Sequence, residues 1–246
     1  YFDYAIYLIT IPLAIAGFYD DYFSLKPIVR FIVQAFTVFI ILNLPTYQIL
    51  LNTNLLIAIF MFLIGTSIIN FSNFIDGIDG LLCSISIVFL ISASLILKTN
   101  NYIPIIGSLF SFFLFNKYPA KVFMGDIGST FLGALIFSTL ISSKTYIEFT
   151  KLILIISPIF FDCISCILIR LLKKQNIFKP HNLHLYQRLV KNGMSHQNVT
   201  YIYTLSSIFI ALTAIFYSLQ TEFIVSSIFF IIGIYLDRKK ADSIHI

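Results

Sequence analysis

NFSNFIDGIDG, from Asn70 to Gly80, joins two long apolar runs, 54–73 and 81–98. It carries two amides, Asn70 and Asn73, and two carboxylates, Asp76 and Asp79, each pair three residues apart. On a helix or a turn that spacing brings polar groups onto one face. Gly77 and Gly80 permit close backbone approach and positive φ. Leu81 opens the next apolar run, so a helix N-terminus points its free N–H groups and positive dipole end back at this loop. Such an end favours phosphate. A capped glycine turn would explain Asp79 and Gly80. It would not explain so many amides and carboxylates at the edge of an apolar run.

Two further segments share the design. GFYDD (Gly17 to Asp21) closes the first apolar run, and FMGDIGS (Phe123 to Ser129) precedes a later one. The three segments hold Asp20, Asp21, Asp76, Asp79 and Asp126, five of the chain's eleven acidic residues. A charge at the centre of a bilayer costs about 3 kcal/mol on insertion scales, so carboxylates gathered at the mouths of apolar runs mark a site. Asp20 and Asp21 repel one another unless a cation or proton lies between them; a solvated helix end is the plainer alternative. Ser129 is a good N-cap, a role that does not need Asp126. Hard oxygen donors such as Asp and Asn suit Mg²⁺ or Mn²⁺, which borrow further ligands from water and substrate phosphates. Cys and His do not cluster in these segments, so zinc is not expected there.

The chain has 246 residues, 59% hydrophobic and 11% charged. A soluble domain carries about 25% charged residues, so this is an integral membrane protein. Nine apolar runs are candidate spans: 2–18, 28–44, 54–73, 81–98, 102–116, 130–143, 149–170, 200–219 and 222–237. All read as helices, because an open sheet leaves backbone groups unpaired in lipid. The fold class expected is an all-α, polytopic bundle of about nine transmembrane helices forming one domain, 1–246. The sixth run is short, and its first turn is expected to start inside the preceding glycine motif. Lys and Arg divide 13 to 3 between the two sides of this topology, summing to the 16 present. The basic side is expected to be cytosolic, and all three acidic-glycine segments fall on it. That bias accounts for most of the net charge of +5, and no basic stripe interleaved with aromatics points to nucleic acid. Cys83, Cys163 and Cys166 lie in apolar runs. The Cys163–Cys166 pair reads as buried thiols rather than as a redox or metal motif. No cleavable leader is expected, since no basic stretch or small-residue cleavage site precedes the first run.

Three features stay open on the residues alone. Lys26 and Arg30 stand four apart and can meet a phosphate, though the positive-inside rule already explains them. KPHNLHLYQRLVKNGMSH (Lys179 to His196) sets His181, His184 and Arg188 at i, i+3 and i+7, the spacing of one helical face. Arg and protonated His suit a diphosphate, while a basic juxtamembrane helix that binds anionic lipid has the same composition. Asp162 lies inside the seventh run, after Pro158. It serves either function or a neighbouring helix.

With GFYDD, NFSNFIDGIDGL (70–81), VFMGDIGSTFLG (122–133) and PHNLHLYQRL (180–189) in this order, the chain resembles the polyprenyl-phosphate N-acetylhexosamine-1-phosphate transferases. That superfamily includes phospho-N-acetylmuramoyl-pentapeptide transferase. The resemblance implies a helix bundle in the bacterial inner membrane, with a cytosolic active site and further helices before the first motif. It implies transfer of an N-acetylhexosamine 1-phosphate from a UDP-sugar to undecaprenyl phosphate. Asp126 carries over as metal ligand, with Asn70 as a weaker partner, for Mg²⁺ or Mn²⁺. Asp20, Asp21, Asp76 and Asp79 match the catalytic carboxylates. Asn73, Gly125, Ser129, His181, His184 and Arg188 fall to substrate binding. PHNLH, rather than three adjacent histidines, is more like the branch that feeds O-antigen and related surface glycans than the muramoyl-pentapeptide branch. A homodimer stays open. A cation-coupled transporter and a membrane scaffold are the readings from other classes. The first is disfavoured because nearly all the carboxylates lie at one face.

Overall fold

The computed structural model describes residues 8–23, 25–44, 54–176 and 181–241. Among these, eleven α-helices follow one another without a strand. They are α1 (Ile11–Phe23), α2 (Pro27–Leu42), α3 (Leu55–Ile75), α4 (Leu81–Ile96), α5 (Ile103–Asn116), α6 (Gly125–Ile141), α7 (Tyr146–Ile155), α8 (Ser157–Leu172), α9 (Leu185–Lys191), α10 (His196–Phe216) and α11 (Leu219–Lys239).

Local chemistry sets many helix starts. Asn54, Thr145, Ser195 and Ser218 each accept an amide hydrogen bond from two or three residues on, at 3.1 to 3.3 Å. These bonds satisfy N–H groups that have no intrahelical partner. Pro27, Pro104 and Pro158 stand in first turns, where a missing N–H costs nothing. α6 begins at Gly125, inside the glycine motif as expected.

The apolar runs become helices, but not all become full spans. By length and composition α3, α10 and α11 can each cross a membrane alone, and α7 with α8 passes the same test only as a bent pair, a broken span or a re-entrant loop. α2, α4, α5 and α6 are shorter apolar helices, so the expectation of about nine rests on runs rather than on helix length. The seventh run, 149–170, is not the single helix expected. It breaks after Ile155 and the two pieces meet at 71°. Pro158 explains the break, because it lacks an N–H and its ring crowds the carbonyl four residues back. Residues 2–7 of the first run lie outside the described residues.

α4 and α6 form the middle of this multi-pass bundle. Eleven residues of α4 and twelve of α6 are buried, on every side of each helix, as befits a helix apolar all round. α11 buries only Glu222 and Ser226 and lies outermost. α1 is clamped to the start of α6. A Cβ on Gly17 would stand 2.6 Å from the Ile127 amide nitrogen, so glycine alone lets the two backbones touch. That contact carries the carboxylates of GFYDD to the glycine motif of α6. Beside it Phe18, Tyr19, Tyr22 and Phe23 are exposed, an aromatic rim of the kind found at membrane–water interfaces. At the opposite end, Lys151 Nζ donates to the Ala214 and Tyr217 carbonyls at 2.6 and 3.2 Å.

Candidate active site

Four helix ends bring the polar residues together. α1 supplies Asp20 and Asp21, α2 supplies Arg30, α3 supplies Asn73 and, at its C-terminus, Asp76, and α6 supplies Asp126 and Ser129. Asn73 Nδ2 donates to Asp126 Oδ1 at 2.7 Å and to Ser129 Oγ at 3.1 Å. Arg30 Nη1 bridges Asp20 Oδ2 at 2.7 Å and Asp126 Oδ2 at 3.4 Å. The Leu25 amide donates to Asp20 Oδ1 at 2.6 Å, turning the carboxylate inward. The Asp126 amide donates to Asp21 Oδ1 at 3.3 Å. Gly125 has φ +66°, in the left-handed region that favours glycine. A Cβ there would also lie 3.0 Å from Asp21 Oδ2. Residues more than a hundred positions apart thus share one cluster.

Asp76 belongs to the same cluster. Burial, and then the negative charges of Asp126 and Asp21, push its carboxyl up to about 7, against a pull down from the Gly125 amide. The sign follows from proton linkage. Between the ordinary carboxylate range and pH 7 the folded protein holds a proton there that the unfolded chain has lost, so stability falls as pH rises across that window. Asp76→Asn is expected to flatten this decline and to raise the unfolding temperature at pH 8 more than at pH 5. A thermal-shift series across pH checks it, and an unchanged slope refutes it.

Not every expected residue joins. Asn70 is half-buried on α3, one turn before Asn73, and Asn73 is the amide that bonds Asp126. Asp79 turns away into a second polar group. Its Oδ2 accepts from the Ala120 amide at 3.0 Å, and Oδ1 lies 3.2 Å from His196 Nδ1. Thr200 donates to the Asp79 carbonyl at 2.9 Å. Asp79 therefore ties the 117–124 loop to the start of α10.

The histidine loop departs from the spacing expected of it. α9 starts only at Leu185, so His181 and His184 precede the helix and do not share a helical face with Arg188. Lys179 lies outside the described residues. Asp162 Oδ1 accepts from the Leu185 amide at 2.7 Å. Its Oδ2 accepts from the Tyr186 amide at 3.1 Å and from Tyr203 Oη at 2.6 Å. The intramembrane carboxylate therefore holds the start of α9. Tyr186, fully buried, donates its hydroxyl to the Phe74 carbonyl and docks the loop onto NFSNFIDGIDG. Arg188 pairs with Asp237 of α11 and donates to the Leu183 carbonyl. His181 is held down to about 4 by burial and by the nearby His184 and Arg170, so it is neutral near pH 7. The loop thus presents less positive charge than its composition suggests.

The ion pairs of two residues escaped the sequence reading. Arg30 is the cation at the centre of the carboxylates, and its pairing with Asp126 spans 96 positions. His196 pairs with Asp79. The i, i+10 relation of Asp20 and Arg30 across a Pro-started helix was the available signal, but the positive-inside rule absorbed it.

A family model described as Glycosyl transferase family 4 matches residues 4–144. The probable undecaprenyl-phosphate N-acetylglucosaminyl 1-phosphate transferase of Bacillus subtilis (strain 168) is 30% identical over 247 residues, covering 91% of this chain and 68% of that protein. The phospho-N-acetylmuramoyl-pentapeptide-transferase of Carboxydothermus hydrogenoformans is 29% identical, covering 70% of this chain and 54% of its own length. That of Streptococcus mutans is 40% identical over 121 residues, 46% of this chain and 34% of the relative. The chain thus spans about two thirds of the first relative and about half of the second.

Proposed function

Because the chain belongs to glycosyl transferase family 4, we infer that it moves an N-acetylhexosamine 1-phosphate from a UDP-sugar to undecaprenyl phosphate, releasing UMP. The reaction takes place at the cytosolic face of the bacterial inner membrane, as an initiating step of surface-glycan or cell-wall synthesis. The observation that carries this reading is the convergence of Asp20, Asp21, Asp76 and Asp126 around Arg30 and Asn73. Such a cluster suits a phosphorylated substrate and a divalent cation together.

The lipid phosphate oxygen attacks the phosphorus bonded to the sugar, and UMP leaves. A phosphate monoester has its second pKa near 6, so the acceptor is mostly dianionic near pH 7 and needs positioning more than deprotonation. Arg30 holds the acceptor phosphate, and Asp20 and Asp126 hold Arg30. The aromatic rim of α1 keeps that end at the lipid headgroups. His181, neutral, donates or accepts a hydrogen bond at the nucleotide-sugar, with His184 and Arg188 shaping the loop around it.

The donor set fits a hard cation. Asp20 and Asp126 flank the Arg30 guanidinium, and burial, then the charges of Asp126 and Asp21, raise the Asp76 carboxyl to about 7. Asp126 and its neighbours would hold Mg²⁺ or Mn²⁺, which when bound neutralises charge developing on the diphosphate. Removing the cation with EDTA is expected to abolish turnover, and added Mg²⁺ to restore it.

The deciding assay gives purified protein undecaprenyl phosphate and, in parallel, UDP-N-acetylglucosamine, other UDP-N-acetylhexosamines and UDP-N-acetylmuramoyl-pentapeptide, each with and without EDTA. UMP release and lipid-linked product from a simple UDP-N-acetylhexosamine support the reading. Product from the pentapeptide alone moves the chain to the muramoyl branch, which the identity to the Streptococcus mutans protein favours. No lipid-linked product with any donor refutes both.

A further inference from the structure

Soft donors meet where the sequence promised only inert thiols. The ligand atoms of Cys166, His181 and His184 lie within 4.8 Å of one another. Cys166 stands one turn after Asp162 on α8, so both point at the start of α9. His184 Nδ1 is buried without a hydrogen-bond partner, 3.6 Å from Asp162 Oδ1, too long for a hydrogen bond. His181 Nδ1 accepts the Leu183 amide at 3.3 Å. Each ring thus has Nδ1 turned to a neighbour, so Nε2 is the nitrogen assigned to the metal here. The two rings stand 5.1 Å apart.

We propose that Cys166, His181 and His184 form a Zn²⁺-class site that locks the histidine loop onto α8. Three protein ligands with a fourth position for water match a tetrahedral ion with Zn–S near 2.3 Å and Zn–N near 2.0–2.1 Å. The ligand atoms close in by roughly an ångström to reach that geometry, through side-chain rotation. On binding, the Cys166 thiol loses its proton to solvent. The Asp162 carboxylate then takes the His184 Nδ1–H, the carboxylate–histidine–metal arrangement that orients a ligating ring. One thiolate and Asp162 balance the ion's two charges. Cys166 also lines a cavity of about 360 Å³ between α8, α10 and α11. The site is soft where the carboxylate cluster is hard, so the two select different cations.

The test titrates Co²⁺, freed of other metals, into the purified full chain in lipid nanodiscs. One equivalent is expected, with a thiolate-to-cobalt charge-transfer band that Zn²⁺ displaces. Cys166→Ser should lose the band and weaken binding at least about 100-fold, while Cys163→Ser keeps both. X-ray absorption of the Zn²⁺-loaded wild type should show one sulfur and two nitrogens, which settles the matter even if Cys166→Ser fails to fold. An all-oxygen cobalt spectrum, a sulfur-free zinc shell, or a band that survives Cys166→Ser overturns the site. A second arm rests on the transferase reading. Zn²⁺, by engaging both imidazoles, should raise KM for the UDP-sugar at least tenfold in the wild type and less in Cys166→Ser. Metal binding without this effect defeats the arm alone.

Discussion

Asp126→Asn is expected to lower turnover about a thousandfold while leaving the fold intact. The scale is that of losing one preorganised electrostatic group from a site built to stabilise developing charge. Asp126 is the residue on which the cluster converges, since Asn73, Arg30 and Ser129 all reach it or its immediate partner. The amide keeps the shape, and its oxygen still accepts from Asn73 Nδ2. What it loses is a negative charge, and with it the grip on a hard cation. Removing one of several crowded carboxylates also relieves repulsion, so the unfolding temperature should hold or rise. Turnover and thermal unfolding measured on the same preparation separate the outcomes. Turnover within tenfold of the wild type would remove Asp126 from the chemistry. A large loss accompanied by a collapse in stability would make its role structural. Asp79→Asn supplies the contrast. Its carboxylate serves Ala120 and His196, so a smaller loss of turnover and a looser 117–124 loop are expected.

The contrast between Asp76 and Asp79 shows what the sequence could carry. Both stand in DGIDG, three apart, and periodicity alone assigns them one face. The chain leaves α3 at Asp76, however, and turns through Gly77 and Ile78 before Gly80 takes φ +73° and α4 begins. The helical phase is lost, and the two carboxylates separate into different networks. Apolar runs and the side on which motifs fall were legible because lipid forces helices and because a charge is expelled to their ends. The break at Pro158 was written in the sequence but hidden by length, since 149–170 is long enough for one straight span. Arg30 was read as a phosphate contact or a positive-inside residue, and Arg188 as a substrate-binding one. Arg30 meets Asp126, 96 positions away, as well as Asp20, and Arg188 meets Asp237, 49 positions away; no local pattern announces the distant pairs, which packing makes.

Asp162→Leu is expected to release the histidine loop and to destabilise the protein by several kcal/mol. The carboxylate accepts from two amides at the start of α9 and from the Tyr203 hydroxyl. Leucine has similar bulk and no acceptor, so three buried donors lose their partner. Each unsatisfied donor costs about 1–3 kcal/mol, well above the cost of a typical surface substitution. The consequence reaches the site through packing. With the start of α9 loosened, Tyr186 loses its fixed approach to the Phe74 carbonyl, and His181 and His184 lose the frame that sets them against NFSNFIDGIDG. Proteolysis should become faster between residues 173 and 184, and KM for the UDP-sugar should rise at least tenfold, with a smaller change for the lipid acceptor. Asp162→Asn keeps one acceptor oxygen and should fall between the two. Tyr203→Phe removes a single bond and should cost about 1 kcal/mol. If Asp162→Leu leaves loop proteolysis and KM unchanged, the buried carboxylate does not anchor the loop. If Asp162→Asn abolishes turnover while protease resistance and KM stay at wild-type values, its negative charge acts in the reaction itself.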